Sequence, residues 1–190
     1  VFVIMGIINF IYLIKFKKCN FLLPLIVLVG LIFALLGDAL INEFFILGAA
    51  SFALGHIAFL ISYFKSGKSN LIDIIICTLL LSLSVLIITN APILVFEDKI
   101  LHVVIIIYAV IISVMLGKAI SNFVHVRNLH NLILMVASIL FYISDFFLLI
   151  AWFSTIEGIW TSNICMATYY PALSLIALSL IIKNKENPAE

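Results

Sequence analysis

Charged residues are scarce in this chain. Aspartate, glutamate, lysine and arginine make up 10% of its 190 residues, while hydrophobic residues make up 66%. A water-soluble domain typically carries about 25% charged residues. A mean hydropathy of +1.37 is too high for a surface in contact with water. The composition therefore excludes a soluble enzyme or binding domain and indicates an integral membrane protein.

Cysteine is also scarce: the three residues Cys19, Cys77 and Cys165 lie in separate segments. Their separation provides neither a disulfide framework nor the paired spacing of a zinc site. The net charge of +1 gives no indication of nucleic-acid binding, so we expect no nucleic-acid partner. We likewise predict no metal site.

Long apolar runs dominate the sequence instead. A spanning helix needs about 20 apolar residues, and runs near that length recur between short polar segments. Alternating barrel strands of about ten residues are absent. We therefore predict an all-α polytopic membrane helix bundle that forms one domain over residues 1–190. The predicted spans are 1–14, 21–41, 44–64, 71–90, 100–117, 131–153 and 163–182, with a turn at Asn42 and Glu43.

The first predicted span is shorter than the others. Its apolar run ends at Ile14, and the sequence starts with Val1 rather than with methionine. We therefore expect that an N-terminal segment precedes Val1 and that the full-length protein has eight spans.

Basic residues in the linkers predict the orientation of the bundle, because cytoplasmic linkers carry an excess of Lys and Arg. Nine of the ten basic residues fall on one side: Lys15, Lys17, Lys18, Lys65, Lys68, Lys118, Arg127, Lys183 and Lys185. The other side carries Lys99 with Glu43, Glu97, Asp98 and Glu157. We therefore expect the C-terminus in the cytoplasm and Val1 outside.

Several polar residues near the predicted helix ends have a structural explanation. Asn70 and Asp73 have the spacing of a helix cap and a first-turn carboxylate, and the pair 97–98 precedes the fifth span. Capping and the helix dipole account for all of them. His125 and His130 fall in a predicted cytoplasmic loop, where we expect contact with solvent or lipid head groups rather than with a metal.

Two aspartates lie inside predicted spans, Asp38 in the second and Asp145 in the sixth. An ionisable side chain at the bilayer centre costs about 3 kcal/mol or more and usually marks a functional site. No Lys or Arg lies inside a predicted span to neutralise these carboxylates. Asp38 shares a helix face with Gly30 and Ala34 at spacings of four, which indicates a face that packs against protein.

A histidine and three tyrosines lie at comparable depth. His56 is near the middle of the third span, while Tyr108, Tyr169 and Tyr170 fall in the outer half of the bundle. We expect these four side chains and the two aspartates to line one cavity between the midplane and the outer surface. Interhelical hydrogen bonding by the histidine, and packing or interface roles for the tyrosines, stay open as alternatives.

The order of these residues resembles the YhhN-like lysoplasmalogenase family. The strongest motifs are a Gly-Asp pair at 37–38, a Gly-His pair at 55–56 and a Ser-Asp pair at 144–145. Weaker similarity surrounds Tyr108 and the pair 169–170. The resemblance therefore covers most of the chain, from the second span to the seventh.

The chain also departs from the pattern of this family at three places. Phe59 stands where tyrosine is typical, and Leu173 stands where glutamine is common. Before the Ser-Asp pair, Ala137 or Ser138 replaces a glycine. These differences concern contacts with the substrate more than the two aspartates.

The resemblance implies an ether hydrolase that acts on a lysophospholipid within the bilayer and needs no cofactor. Members of the family hydrolyse the vinyl-ether bond of lysoplasmalogens to a fatty aldehyde and glycerophosphoethanolamine or glycerophosphocholine. Vinyl ethers hydrolyse by protonation at carbon, so a carboxylic acid and a second carboxylate would share the work as in glycoside hydrolysis. The implied catalytic residues are Asp38, Asp145 and His56, and the implied substrate-binding residues are Asn42, Tyr108, Ser144, Tyr169 and Tyr170.

A small proton- or cation-coupled transporter is the alternative. Intramembrane carboxylates can bind a proton or a cation, and the second and sixth spans, which carry Asp38 and Asp145, run in the same direction. Transporters typically break their helices with Gly or Pro beside such sites, and only Pro171 offers a break. A retinal-type receptor is excluded because the seventh span has no lysine for a Schiff base.

Reporter fusions test the predicted orientation. Green fluorescent protein fused after Glu190 should fluoresce in a bacterial host, because it matures in the cytoplasm, and alkaline phosphatase at the same position should be inactive. Fusions after Glu43 should give the reverse pattern. Active phosphatase after Glu190 would contradict the orientation.

Overall fold

The computed structural model describes residues 2–17, 21–96, 98–155 and 159–186. This part of the chain is helical and has no strand, apart from an isolated β-bridge between Leu94 and Ser154. The helices are α1 (Phe2–Tyr12), which continues as one π-helical turn (Leu13–Lys17), α2 (Leu22–Leu40), α3 (Phe45–Ser66), α4 (Leu71–Asn90), α5 (Lys99–His125), α6 (Leu129–Phe153) and α7 (Ile159–Glu186).

The six helices α2 to α7 are long and apolar enough to cross a membrane, whereas α1 is shorter. The predicted all-α polytopic bundle is therefore confirmed, as is the turn at Asn42 and Glu43. Below, the end of the bundle at which α2, α4 and α6 stop is called the Asn42 end. The opposite end, at which α3 and α5 stop, is called the Lys65 end.

Helix α5 is longer than its predicted span. It continues to His125 instead of ending at 117. Lys118, which the linker charges had placed outside the spans, therefore lies within the helix and is fully buried. A buried lysine persists where another helix supplies its counter-charge, and the count of linker charges takes no account of such a partner.

The prediction for the two linker histidines holds for one of them. His125 ends α5 and is exposed. His130 lies in the first turn of α6 and is buried, with its Nδ1 2.9 Å from the carbonyl oxygen of Ser179 in α7. The expectation that His130 faces solvent or head groups is therefore wrong, because α7 packs over the start of α6 and covers the ring.

Helix α5 is central to the packing, since it contacts α3, α4 and α6. Helix α2 packs on α3, α6 packs on α7, and α1 contacts both α2 and α7. At the Asn42 end, backbone hydrogen bonds join the α4–α5 linker to the end of α6. Val95 N donates to Phe153 O at 2.8 Å, and Thr155 N donates to Ile93 O at 3.0 Å.

Small residues let α2 and α3 approach each other closely. A Cβ atom on Gly55 would lie 3.1 Å from the Gly30 carbonyl oxygen, and one on Gly48 would lie 2.6 Å from the Ile41 Cα. Larger side chains at these positions would push the two helices apart, as in other membrane helix pairs built on small residues. The close approach fixes the register in which α2 and α3 present their polar side chains.

A buried ion pair stabilises the Lys65 end. Lys118 Nζ donates to Asp73 Oδ2 at 2.9 Å and to the Lys68 carbonyl oxygen at 2.8 Å. Asp73 also forms a capping box with Asn70, which confirms the predicted cap of α4. The pair therefore ties α5 to the start of α4 and to the linker before it.

Substitution Lys118→Met tests this ion pair. It leaves Asp73 buried without its cation, and loss of one partner from a buried pair typically costs about 3–5 kcal/mol of unfolding free energy. The midpoint of thermal unfolding in detergent should therefore fall well below that of Lys65→Met, which removes an exposed lysine. The double variant Lys118→Met/Asp73→Asn should recover part of the loss. Equal midpoints for the two single variants would contradict the stabilising role.

Candidate active site

The Asp145 carboxylate lies where α3, α5 and α6 meet. Tyr108 of α5 donates its hydroxyl to Asp145 Oδ2 at 3.0 Å. His56 of α3 places Nε2 3.7 Å from the same oxygen, and its Nδ1 lies 3.3 Å from the Tyr108 hydroxyl. The structure therefore brings three of the predicted site residues into one cluster, with the second carboxylate oxygen, Oδ1, unbonded to any described residue.

The His56 ring is enclosed by aromatic side chains. It packs edge to face on Tyr108 and Phe141, with ring centroids 5.6 and 4.9 Å away. Its side chain is 3% exposed, and Nε2 has no hydrogen-bond partner among the described residues. A buried nitrogen without a partner needs an explanation. Here it faces Asp145 at a distance that a small movement or a water molecule can bridge.

Asp38 lies on the other side of this aromatic layer. The phenol of Tyr169 lies beside the Asp38 carboxylate and 3.3 Å from the Ala34 carbonyl oxygen. The Tyr169 ring contacts Phe141, which in turn contacts His56. The series of ring contacts from Tyr169 through Phe141 to His56 therefore connects the two acidic positions.

Gly37, the residue before Asp38, explains how the aromatic layer fits. A Cβ atom at this position would lie 2.6 Å from the ring of Phe52 in α3. The absence of a side chain lets the Phe52 ring press against α2, and that ring also packs on Tyr169 at a centroid distance of 5.9 Å. In the Gly-Asp pair, Asp38 thus supplies a carboxylate, and Gly37 leaves the space for the Phe52 ring beside it.

An apolar cavity opens next to Asp145. It lies between α3, α4, α5 and α6 in the half of the bundle toward the Asn42 end, and it encloses about 790 Å³ when its open side is counted. Its polar lining residues are Ser84, Tyr108, Tyr142 and Asp145, and the other lining residues are apolar. Asp145, whose side chain is 12% exposed, is the only ionisable acid among the described residues of the lining.

The expectation that six polar side chains line one cavity is not met by this cavity. Tyr108 and Asp145 line it, whereas His56, Asp38 and the two tyrosines of α7 do not. The reason is steric: aromatic rings between the helices fill the space that would have joined the two acidic positions. Counting residues along a helix gives the depth of each side chain in the bundle. It does not show which aromatic rings lie between the helices.

The remaining predicted substrate-binding residues have different surroundings. Ser144 is fully buried and donates to the Cys165 carbonyl oxygen at 3.1 Å, which places it between α6 and α7. Asn42 is exposed in the turn after α2. Tyr170 is 45% exposed and stacks on Phe2 of α1. None of these three contacts the cavity in the described part of the chain.

Sequence reasoning missed a cluster of hydroxyl groups in the cavity wall. The Ser84 hydroxyl lies 2.6 Å from the Tyr142 hydroxyl and 2.9 Å from that of Ser113. Tyr142 shares the helix face of Asp145, which was visible in the sequence. The serines gave no signal, because serines in membrane helices commonly bond their own backbone, as Ser84 does with Leu80 O at 2.9 Å.

The cluster around Asp145 offers proton donors and acceptors in an apolar setting. A carboxyl group, an imidazole and a phenol lie within 3.7 Å of each other, and a low-dielectric site strengthens their interactions. The described residues contain no group of three or more His, Cys, Asp or Glu placed to hold a metal ion. Such an arrangement is suited to general acid–base chemistry on a molecule in the cavity.

Comparison with known proteins gives one result. A family model described as the YhhN family matches residues 1–180, nearly the whole chain. No curated protein and no solved structure matches the chain significantly. The match includes α2 to α6 and most of α7. It therefore includes Asp38, Asp145 and the residues described around them.

Proposed function

The chain belongs to the YhhN family, the family of lysoplasmalogenases, and from this premise we propose that it hydrolyses the vinyl-ether bond of lysoplasmalogens. The products are a fatty aldehyde and glycerophosphoethanolamine or glycerophosphocholine. One observation supports the proposal beyond family membership: Asp145 is the one carboxylic acid among the described residues that line an apolar cavity inside a membrane helix bundle.

The first chemical step is protonation of the substrate at carbon. The proton on Asp145 Oδ1 moves to the alkene carbon farther from the ether oxygen, and the electron pair of the double bond forms the new C–H bond. The other alkene carbon becomes an oxocarbenium centre bonded to the ether oxygen. Transfer to carbon needs a positioned acid, and such acids typically contribute about 10²- to 10⁴-fold in rate.

Water then completes the hydrolysis. It adds to the oxocarbenium carbon, and the proton that it loses returns to the Asp145 carboxylate, which gives a hemiacetal. The hemiacetal breaks the bond to the glycerol oxygen, which takes up one proton, while the hemiacetal hydroxyl loses one. The sum is one vinyl ether and one water converted to one aldehyde and one alcohol.

Other residues of the site have supporting roles in this scheme. Tyr108 holds Oδ2 of Asp145 at 3.0 Å, which restricts the orientation of the carboxyl group. His56, buried and facing the same carboxylate, relays a proton or orients the attacking water. Asp38 supplies negative potential that favours the oxocarbenium ion, because charges act over longer distances in a low-dielectric interior, and Tyr169 lies beside its carboxylate.

The shape of the cavity fits a lipid with one chain. Its walls are apolar and one side is open, so an alkenyl chain can lie in it with little loss of hydrophobic contact. Pockets of this kind orient their ligands with a few polar groups. In this cavity those groups are concentrated at Asp145 and at the hydroxyl cluster one helical turn away, and in this scheme the ether bond lies beside the acid.

A proton- or cation-coupled transporter is the second candidate. It is favoured by Pro171, which lies inside α7 close to Tyr169 and removes one backbone hydrogen bond from that helix. Transporters often form ion sites at such interruptions. The hydrolase has the stronger support because the cavity is apolar and is lined by Asp145, whereas no described residue of the interrupted helix α7 lines it.

Aldehyde release is the direct test. Purified full-length protein in detergent should release fatty aldehyde from lysoplasmenylcholine or lysoplasmenylethanolamine, and Asp145→Asn and Asp38→Asn should each lower kcat by about 10²-fold or more. Glu43→Gln, which changes an exposed carboxylate in the α2–α3 turn, serves as the matched control. Full activity in Asp145→Asn would contradict its role as the acid. A folded wild type that releases no aldehyde would favour the transporter, to be examined by flux into liposomes.

Substitution Tyr108→Phe tests how Asp145 is positioned. It keeps the ring that packs on His56 and removes the hydroxyl that bonds Oδ2. Hydrogen bonds to charged or reacting groups are typically worth about 1.5–3 kcal/mol, so kcat should fall by roughly tenfold or more. Tyr63→Phe is the control, since it removes a buried phenol that bonds Ser138 at 3.0 Å, outside the cavity. An equal loss in both variants would contradict a specific role for Tyr108.

A further inference from the structure

A surface groove lies at the Asn42 end of the bundle, next to the apolar cavity. It is formed by the start of α3, the start of α5 and the end of α6, and it encloses about 830 Å³ when its open side is counted. Phe45 and Phe153 line both this groove and the cavity that contains Asp145. The two spaces therefore meet at one pair of aromatic rings.

The rings at this junction pack on each other. Phe45 contacts Phe153 edge to face at a centroid distance of 5.2 Å and contacts Trp152 at 5.0 Å. Phe96 of the α4–α5 linker packs on Phe153 at 5.3 Å. Trp152 is nevertheless 42% exposed, so it presents part of its indole to whatever occupies the groove.

One carboxylate lies in the same groove. Asp98 is exposed, and its Oδ1 accepts the Ile100 backbone N–H at 2.8 Å as the N-cap of α5. Asp98 forms no ion pair with a described residue, so its negative charge is uncompensated within that part of the chain. A carboxylate beside an exposed indole is the combination that recognises ammonium groups, through charge and cation–π attraction.

The distance between the groove and the acid matches a phospholipid head group. The rise along α6 from Asp145 to Phe153 is about 12 Å. In a lysoplasmalogen, nine bonds separate the ether oxygen from the nitrogen of choline or ethanolamine, an extended length of about 11 Å. With its vinyl ether at Asp145, such a lipid can place its nitrogen at the groove.

We propose that the groove is the head-group subsite of this enzyme and that Asp98 and Trp152 bind the ammonium of choline or ethanolamine. The inference rests on the proposed function and deepens it, because it assigns the residues that select cationic head groups. Lipids without an ammonium then lose the contact to Asp98 while keeping the contact of the alkenyl chain with the cavity.

Head-group selectivity tests the proposal. We would measure kcat/KM for aldehyde release from lysoplasmenylcholine, lysoplasmenylethanolamine and the same lipid with a glycerol head group. Asp98→Asn removes the charge and keeps a good N-cap, so the fold of α5 is maintained. The ratio of kcat/KM for choline to that for glycerol should fall by about tenfold, which corresponds to about 1.4 kcal/mol. Glu43 is a neighbouring carboxylate outside the groove. In the control variant Glu43→Gln, the ratio should equal that of the wild type.

A binding measurement gives a readout that does not depend on catalysis. The chain has two tryptophans, so Trp160→Phe leaves Trp152 as the single indole fluorophore. Saturated alkyl-ether lysophospholipids lack the vinyl group and cannot be hydrolysed by this route. The alkyl-ether phosphocholine should change the Trp152 fluorescence at lower concentration than the phosphoglycerol analogue, and Asp98→Asn should abolish that difference.

The outcomes separate the subsite from the function. If the wild type releases aldehyde and Asp98→Asn leaves the selectivity ratio unchanged, the head-group subsite is overturned and the hydrolase stands. If no lipid yields aldehyde, the proposed function is overturned, and the subsite falls with it. Aldehyde release together with a Trp152 response that is the same for both analogues also overturns the subsite.

Discussion

The hydrocarbon interior of a membrane cannot solvate a polar side chain, and every polar residue of this bundle has to be understood from that constraint. For Lys118, at the Lys65 end, the demand is met: its ammonium has a carboxylate and a carbonyl oxygen within 2.9 Å. Around Asp145 it is met incompletely, because one carboxylate oxygen and one imidazole nitrogen lack partners among the described residues. Lys118 is therefore a buried charge that stabilises the fold, whereas the groups around Asp145 keep hydrogen-bonding capacity that is available for chemistry.

The position of the candidate site depends on how closely the helices pack. Glycines on α2 and α3 bring the two backbones together, and the aromatic rings of Phe52 and Phe141 fill the space that remains between helices. These rings divide the polar interior into an Asp145 side, which opens onto the cavity, and an Asp38 side, which faces Tyr169. The division gives the two aspartates different surroundings, although their sequence motifs look alike, and it is the reason why Asp145 rather than Asp38 is the proposed proton donor.

Much of the architecture could be predicted from the sequence because length and hydropathy determine which segments can cross a bilayer. The bounds of α2, α3, α4 and α6 to within about two residues, the cap at Asn70 and the convergence of His56, Tyr108 and Asp145 follow from that pattern and from residue depth. The burial of Lys118 and His130 could not be predicted in this way, since it depends on which face of one helix meets another. The same holds for the aromatic layer, because the rotation of each helix about its axis is set by packing across the whole bundle.

The backbone pairing between the α4–α5 linker and the end of α6 has a mechanical consequence. The backbone hydrogen bonds of Val95 and Thr155 join two segments that are distant in sequence, so the α4–α5 linker and the end of α6 move together. The α2–α3 turn makes its backbone bonds within itself, from Glu43 N and Phe44 N to Leu40 O. Separating the α4–α5 linker from the end of α6 would therefore break these two backbone hydrogen bonds, whereas the bonds of the α2–α3 turn would survive a movement of the turn away from either segment.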